Sequence, residues 1–205
     1  MPANVEEATR AGGATPAGGS DDELVAAALS GDLEAFNVLV VRYQDFLFSL
    51  VVRTLADREA AADVVQEAFL NAYRNLRAFH GGAFRGWLAR IALNAATDVL
   101  RWRKRRPADP YPEWEGEAWQ PRAGEETDPE HEAVRRARGR ALTAALAAIG
   151  DEQRRAILLF DVEGFDYAEI AAITGVSLGT VKSRIHRGRL ALRQLLADQM
   201  ELFHE

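Results

Sequence analysis

Residues 166–196 read DYAEIAAITGVSLGTVKSRIHRGRLALRQLL, two helical patterns separated by one tight turn. Asp166, followed three residues later by Glu169, forms a capping box that opens a short helix. On that helix Ile170 and Ile173 face inward, and Ala171 leaves room for a crossing neighbour. Thr174, Gly175 and Val176 supply the turn, with Gly175 suited to a positive φ, and Ser177 is a good N-cap for a second helix from Leu178 onward. Val181, Ile185, Leu192 and Leu195 form the apolar stripe of this second helix, which leaves Gly179, Thr180, Lys182, Ser183, Arg184, His186 and Arg187 on the open side. The pattern predicts a helix-turn-helix whose second helix enters the major groove of double-stranded DNA. Arg pairs bidentately with guanine, Ser and Thr bond either partner, and Lys serves as a point charge for phosphate. An ordinary helical hairpin with a solvated basic face is the competing account, but cap, small residue, turn glycine and basic N-terminal half coincide here.

The rest of the chain has to accommodate that element. Its 205 residues are 48% hydrophobic, enough to bury a sizeable core as one ordinary domain or two small ones. There is no cysteine, which excludes a disulfide scaffold and thiolate metal sites and fits a reducing compartment. The four histidines are scattered, so no metal cluster and no cofactor is expected. No run is expected to reach the apolar length of a membrane span, and Met1 to Ser20 lacks an apolar signal core, so the chain should stay in the cytoplasm. The formal charge of −6 argues at first sight against nucleic acid, but it hides a strong asymmetry along the chain.

Residues 1–20 carry Gly and Pro without periodicity and read as a disordered tail. From Asp21 to about Arg106 apolar residues recur at helical spacing, broken at Ser30-Gly31-Asp32, Ala56-Asp57 and His80-Gly81-Gly82. This half, residues 21–106, reads as a small helical bundle. It ends in Arg101, Trp102, Arg103, Lys104, Arg105 and Arg106, a concentrated cationic site stopped by Pro107. Residues 107–132 then read as an acidic linker, with nine carboxylates against the single Arg122 and with Trp114 and Trp119. Helical periodicity returns at about Ala133 and runs to Leu196, where eleven Arg or Lys face six Asp or Glu. The fold class is all-α: two small helical domains, 21–106 and 133–198, joined by a flexible acidic linker.

Within the first bundle, the helix from about Ala56 to Phe79 has a buried stripe of Ala61, Val65, Ala68, Phe69, Ala72 and Leu76. Asp63, Gln66, Glu67, Leu70 and Arg74 lie outward or at the boundary. Three segments taken in order, DREAAADVVQEAFLNAYRNL (57–76), FRGWLARIALNAATDVLRWRKRR (84–106) and the helix-turn-helix above, resemble regions 2 and 4 of the extracytoplasmic-function (group 4) sigma factors of bacterial RNA polymerase. The likeness runs over nearly everything from Asp21 to Leu196. It implies a dissociable polymerase subunit, not an enzyme by itself, that brings core enzyme to promoters and melts the minus-10 element.

Carried over by position, the resemblance assigns the segment of Asp63, Gln66, Glu67, Phe69, Leu70 and Arg74 to the surface gripping the β′ clamp helices; Phe69 and Leu70 also fit the core, and Phe69 reads as core rather than contact. The loop His80 to Phe84 corresponds to the one that captures a flipped minus-10 base, which needs a pocket, hydrogen-bonding groups and a stacking surface. His80 with two glycines departs from the more polar loop of better-known relatives. Arg85, Arg90, Asn94, Asp98 and Arg101 line the adjoining helix, and Arg105 belongs to the basic end that neutralises phosphate near the melting point. Trp87, spaced with Leu88 and Ile91, reads as core. Thr180, Lys182, Ser183, Arg184, His186 and Arg187 fall at the positions that read the minus-35 element. The β flap of the polymerase is a further implied partner, and an anti-sigma protein is one the resemblance leaves open.

About 25 residues of extended linker reach at most roughly 80 Å, while elements one and a half helical turns apart lie about 50–55 Å from each other. The resemblance further suggests that the acidic linker threads the template and RNA-exit path of the polymerase, whereas solubility alone also explains its charge. Two rivals remain at this level. A stand-alone helix-turn-helix regulator leaves the first bundle idle, and a protein-only helical adaptor leaves the basic recognition face unexplained. An enzyme fits least, since no nucleophile and base pair, metal cluster or phosphate loop appears.

Overall fold

The computed structural model describes residues 19–105 and 129–197. The expected tail apart from Gly19 and Ser20, the expected linker as far as residue 128, and Arg106 lie outside the described residues. Among the described residues every regular element is helical.

Among the described residues eight α-helices follow in chain order, and side-chain caps open five of them. The first, α1 (Asp21–Leu29), opens on a capping box in which Ser20 Oγ accepts from Glu23 N and Glu23 accepts from Ser20 N. Asp32 caps α2 (Leu33–Leu55) by accepting from Glu34 and Ala35, and α2 ends at Ala56, in the left-handed region at φ 52°. Asp57 then caps α3 (Arg58–Arg74) through Ala60 N. A short 3-10 turn at Leu76–Ala78 leads to Gly81 and Gly82, whose φ of 92° and 93° turn the chain into α4 (Phe84–Arg105). All three breaks read from the sequence fall between helices, although α3 ends at Arg74, ahead of the expected Phe79.

Helix α5 (Pro129–Ala148) begins four residues before the expected onset; a proline at a first helical position lacks only an N–H that has no intrahelical partner there. After α6 (Asp151–Ile157) the chain continues as one wide π-helical turn, Leu158–Val162. The helix-turn-helix pair, α7 (Tyr167–Thr174) and α8 (Leu178–Leu195), closes the fold.

Helix α2 forms the centre of the first bundle. By length and composition it is long and apolar enough to cross a membrane, contrary to the expectation that no run would be. Its Leu39, Leu47, Val51 and Leu55 are fully buried against α1, α3 and α4, which accounts for the apolar run as core. Val64 rather than Val65 is the more buried member of the α3 stripe, and Phe69 is buried as expected.

The two bundles are packed on each other. Leu50 of α2 and Ala89 and Leu93 of α4 belong to the same core as Leu146, Ile149, Ile157, Leu158, Leu159, Phe165, Ile170, Ile173, Val181 and Ile185. No feature of the sequence signalled that shared face. At its centre lies Arg154, 6% exposed. Its guanidinium donates to the carbonyls of Thr54 at the end of α2, of Leu146 and Ala147 at the end of α5, and of Ile149 just beyond it. The last carbonyls of a helix have no intrahelical partner and carry partial negative charge, so one buried cation satisfies two helix ends together.

Candidate nucleic-acid interface

The helix-turn-helix is built as the sequence predicts. Asp166 Oδ1 accepts from Ala168 N and Glu169 N at 2.7 and 2.8 Å, and Glu169 Oε2 accepts from Asp166 N at 2.8 Å. Gly175 sits at φ 70° as the left-handed cap of α7, and Ser177 Oγ accepts from Thr180 N at 3.2 Å. Ile170, Ile173, Val181 and Ile185 are all buried. Leu195, expected on the apolar stripe, is instead 45% exposed. Gly188 takes part in the crossing that the stripe was meant to supply. A Cβ there would lie 2.5 Å from Ile157 Cδ1 and 3.2 Å from Gln153 Cβ, so a side chain at this position requires Ile157 to shift where α8 crosses α6.

On the open face, Lys182, His186 and Arg187 are exposed, while Thr180, Ser183 and Arg184 are half-buried. The Lys182 ammonium lies 5.6 Å from the centroid of the Tyr167 ring. Arg187 is held by Ser183, whose Oγ accepts from Nη2 at 3.1 Å. Arg184 is paired with Glu152 of α6.

In the first bundle, Arg90, Asn94, Asp98, Arg101 and Arg105 are exposed along one side of α4, and His80 is exposed ahead of the two positive-φ glycines. Phe84 requires a correction. It is 1% exposed and packed against Tyr43, Phe79 and Trp87, so it is a core residue and presents no surface to a base. Trp87 is half-buried in the same aromatic cluster, as its spacing predicts. Arg85 is likewise engaged within the protein: Nη1 donates to the Glu163 carbonyl at 3.0 Å and Nη2 to Glu163 Oε2 at 2.9 Å. Its guanidinium also lies 4.2 and 4.4 Å from the ring centres of Phe46 and Phe165. On α3, Asp63, Gln66, Glu67, Leu70 and Arg74 are all exposed, joined by Tyr73, 44% exposed, which sequence reasoning did not single out.

The two groups of nucleic-acid candidates face each other. A cleft of about 440 Å³ is lined by Asn94, Asp98 and Arg101 of α4 and by Glu152, Arg155 and Arg184 across from them. An adjoining one of about 530 Å³ adds Lys104, Thr180 and Arg187. Arg155 Nη1 donates to Thr97 Oγ1 at 2.6 Å and Lys104 pairs with Asp151 at 2.6 Å, tying the walls together. Burial pushes the Arg155 guanidinium below its ordinary value.

This pairing of two helical units, one ending in a basic, aromatic helix and one in a helix-turn-helix, agrees with two family models. Sigma-70 region 2 matches residues 39–106, and Sigma-70, region 4 matches residues 139–192. The chain belongs to the extracytoplasmic-function group of the sigma-70 family. The ECF RNA polymerase sigma-E factor of Escherichia coli (strain K12) is 39% identical over 177 residues, which cover 84% of this chain and 92% of that protein. The ECF RNA polymerase sigma factor SigE of Mycolicibacterium smegmatis is 37% identical over 165 residues, 80% of this chain but 63% of that longer one. Among solved structures, CnrH in complex with the cytosolic domain of CnrY matches with a TM-score of 0.64 and 28% identity, covering 87% of this chain and 97% of that one. The sigma factor RpoE in complex with the anti-sigma factor NepR from Bartonella quintana matches with a TM-score of 0.63 and 26% identity, over 79% and 96%. As an ECF sigma factor the protein is a transcription factor, which works with RNA polymerase and promoter DNA. Among the described residues no group of side chains is arranged to hold a metal ion.

Sequence reasoning did not find Arg53, Arg154, Arg155, Glu163 or Gly188. Each is defined by a partner in the other bundle or on a crossing helix, and periodicity within one helix carries no information about that.

Proposed function

We propose that this ECF sigma factor directs core RNA polymerase in the cytoplasm to promoters with two elements, reading each with a different bundle. In this reading α8 reads the minus-35 element in the major groove with Lys182, Ser183, His186 and Arg187, flanked by Thr180 and Arg184. The outer side of α4, with Arg90, Asn94, Asp98, Arg101 and Arg105, takes the minus-10 strand as it melts, and His80 to Ala83 forms the pocket edge for a flipped base. Asp63, Gln66, Glu67, Leu70 and Arg74 of α3 bind the β′ clamp helices. The observation that carries the reading is the exposed basic N-terminal half of a capped α8 behind a turn closed by Gly175. Arg and Lys there supply base-edge and phosphate contacts of the kinds that specify and position a DNA duplex. An anti-sigma protein is a further partner in this reading, because RpoE, one of the matched folds, was solved bound to one.

Reconstituted transcription tests it. Purified core polymerase plus this chain, supplied with a library of genomic fragments, should give promoter-specific transcripts sharing two elements upstream of each start. Absence of both specific transcripts and core binding would refute the reading.

A further inference from the structure

Arg85 carries two roles that exclude each other. Its position at the start of α4 places it among the minus-10 candidates, yet its two Nη atoms are taken by the backbone and side chain of Glu163, and its flat faces by Phe46 and Phe165. Glu163 follows the π-helical turn of the second bundle and is 11% exposed, and it also accepts from Arg53 at 3.3 Å. A carboxylate paired with two arginines has the chemistry that a backbone phosphate would offer the same guanidinium. Further along α4, Thr97 and Lys104 hold the second bundle by Arg155 and Asp151, and the exposed Asn94, Asp98 and Arg101 look into the cleft between them. Surfaces that close on one cleft do not reach two DNA elements about 50–55 Å apart.

We infer that α4 with Arg85 is an intramolecular docking surface for the second bundle, on which Glu163 occupies the place of a nucleic-acid phosphate, so that docking and single-strand binding compete. This rests on the assignment of α4 to the minus-10 strand given above. Docking brings a desolvation that favours the uncharged Glu163: burial raises its carboxyl above the ordinary value, against the pull of Arg53 and Arg85. The ion pairs of Glu163 with Arg53 and Arg85 and of Asp151 with Lys104 nonetheless cross the interface beside Leu50, Ala89 and Leu93, and charged contacts are the part that a polyanion displaces.

The chain has no cysteine, so Glu59→Cys and Gln194→Cys, both exposed and one in each bundle, place a fluorophore pair without background. Energy transfer should report one short-distance population in the free chain. Glu163→Gln should add a long-distance population, and Leu93→Glu, whose side chain lies in the shared core and outside the first bundle's own core, should make it dominant. A 20-nucleotide oligo-dT strand should shift the parent chain from short to long distance as it binds. It should bind the Leu93→Glu chain at least about tenfold more tightly, although that substitution adds a charge of the wrong sign for direct attraction. Strand binding without any change of distance, or with equal affinity for parent and Leu93→Glu chains, overturns the competition. A Leu93→Glu chain that is open and still binds no strand overturns the α4 assignment instead, and a Leu93→Glu chain that stays at short distance refutes the docking surface itself. Circular dichroism of each variant confirms unchanged helix content.

Discussion

Arg154 Nη1 in α6 donates to the carbonyl oxygen of Thr54 in α2 at 2.7 Å, across 100 positions of sequence. Three more bonds, to Leu146 and Ala147 at the end of α5 and to Ile149 just beyond it, let one guanidinium join two helix C-termini and both bundles. Replacing Arg154 by Met fills the volume but orphans these carbonyls. The expected loss is about 2–4 kcal/mol, since each unsatisfied buried acceptor costs about 1–3 kcal/mol before relaxation. Urea denaturation followed by circular dichroism measures it.

Gly188→Ala should cost about 1–3 kcal/mol by forcing α8 away from Ile157, whereas Gly179→Ala, with only Ser177 Oγ within 4 Å of the added carbon, should leave stability within about 0.5 kcal/mol. Thermal melts of the two variants compare them directly, and equal melting temperatures would contradict the close crossing.

His80 and Phe84 should separate cleanly. Phe84→Ala is expected to lose about 3–5 kcal/mol of stability through the cavity left among Tyr43, Phe79 and Trp87. His80→Ala should leave the melt unchanged and alter the preferred minus-10 sequence among promoters selected with core polymerase.

Much of this was legible in sequence, and the reason differs from element to element. The caps at Ser20, Asp32, Asp57, Asp166 and Ser177 are local, each settled by a side chain and a backbone N–H within three residues. The outward side of α3 and the open side of α8 followed from helical period, whereas the exposed candidates on α4 came from the family resemblance. Phe84 did not, because it stands at the boundary between an exposed loop and a helix, where period has not yet begun. Arg184 was read as open to solvent and Arg85 as a minus-10 candidate because their carboxylate partners lie 32 and 78 residues away. The apolar length of α2 likewise has a tertiary cause, a helix surrounded by three others.

Burial, followed by a hydrogen bond to Asp21, pushes the Tyr43 hydroxyl up to about 12 from its ordinary 10. The fold thus favours the neutral phenol, which contributes stability fully present below pH 10 and lost as pH rises through about 12. Tyr43 should therefore ionise late in an absorbance titration. Tyr43→Phe should abolish that late component, and its persistence would assign it elsewhere.

Lys182→Ala with Arg187→Ala should weaken transcription from promoters that depend on the minus-35 element, and reduce the salt slope of duplex binding by about two. Core binding, measured separately, should be unchanged. Its loss would mean that this face meets polymerase and not DNA.

Leu50, Ala89 and Leu93 tie the two halves together in space. A change on the far side of α2 or α4 is judged by the bundle it belongs to and also by the one it carries. Recombination that brings in a second bundle from another member of the family, with its own promoter preference, would place an unmatched surface on this platform. New specificities should therefore arise in this lineage more readily by substitutions on the exposed side of α8, which touches neither core, than by exchange of whole modules.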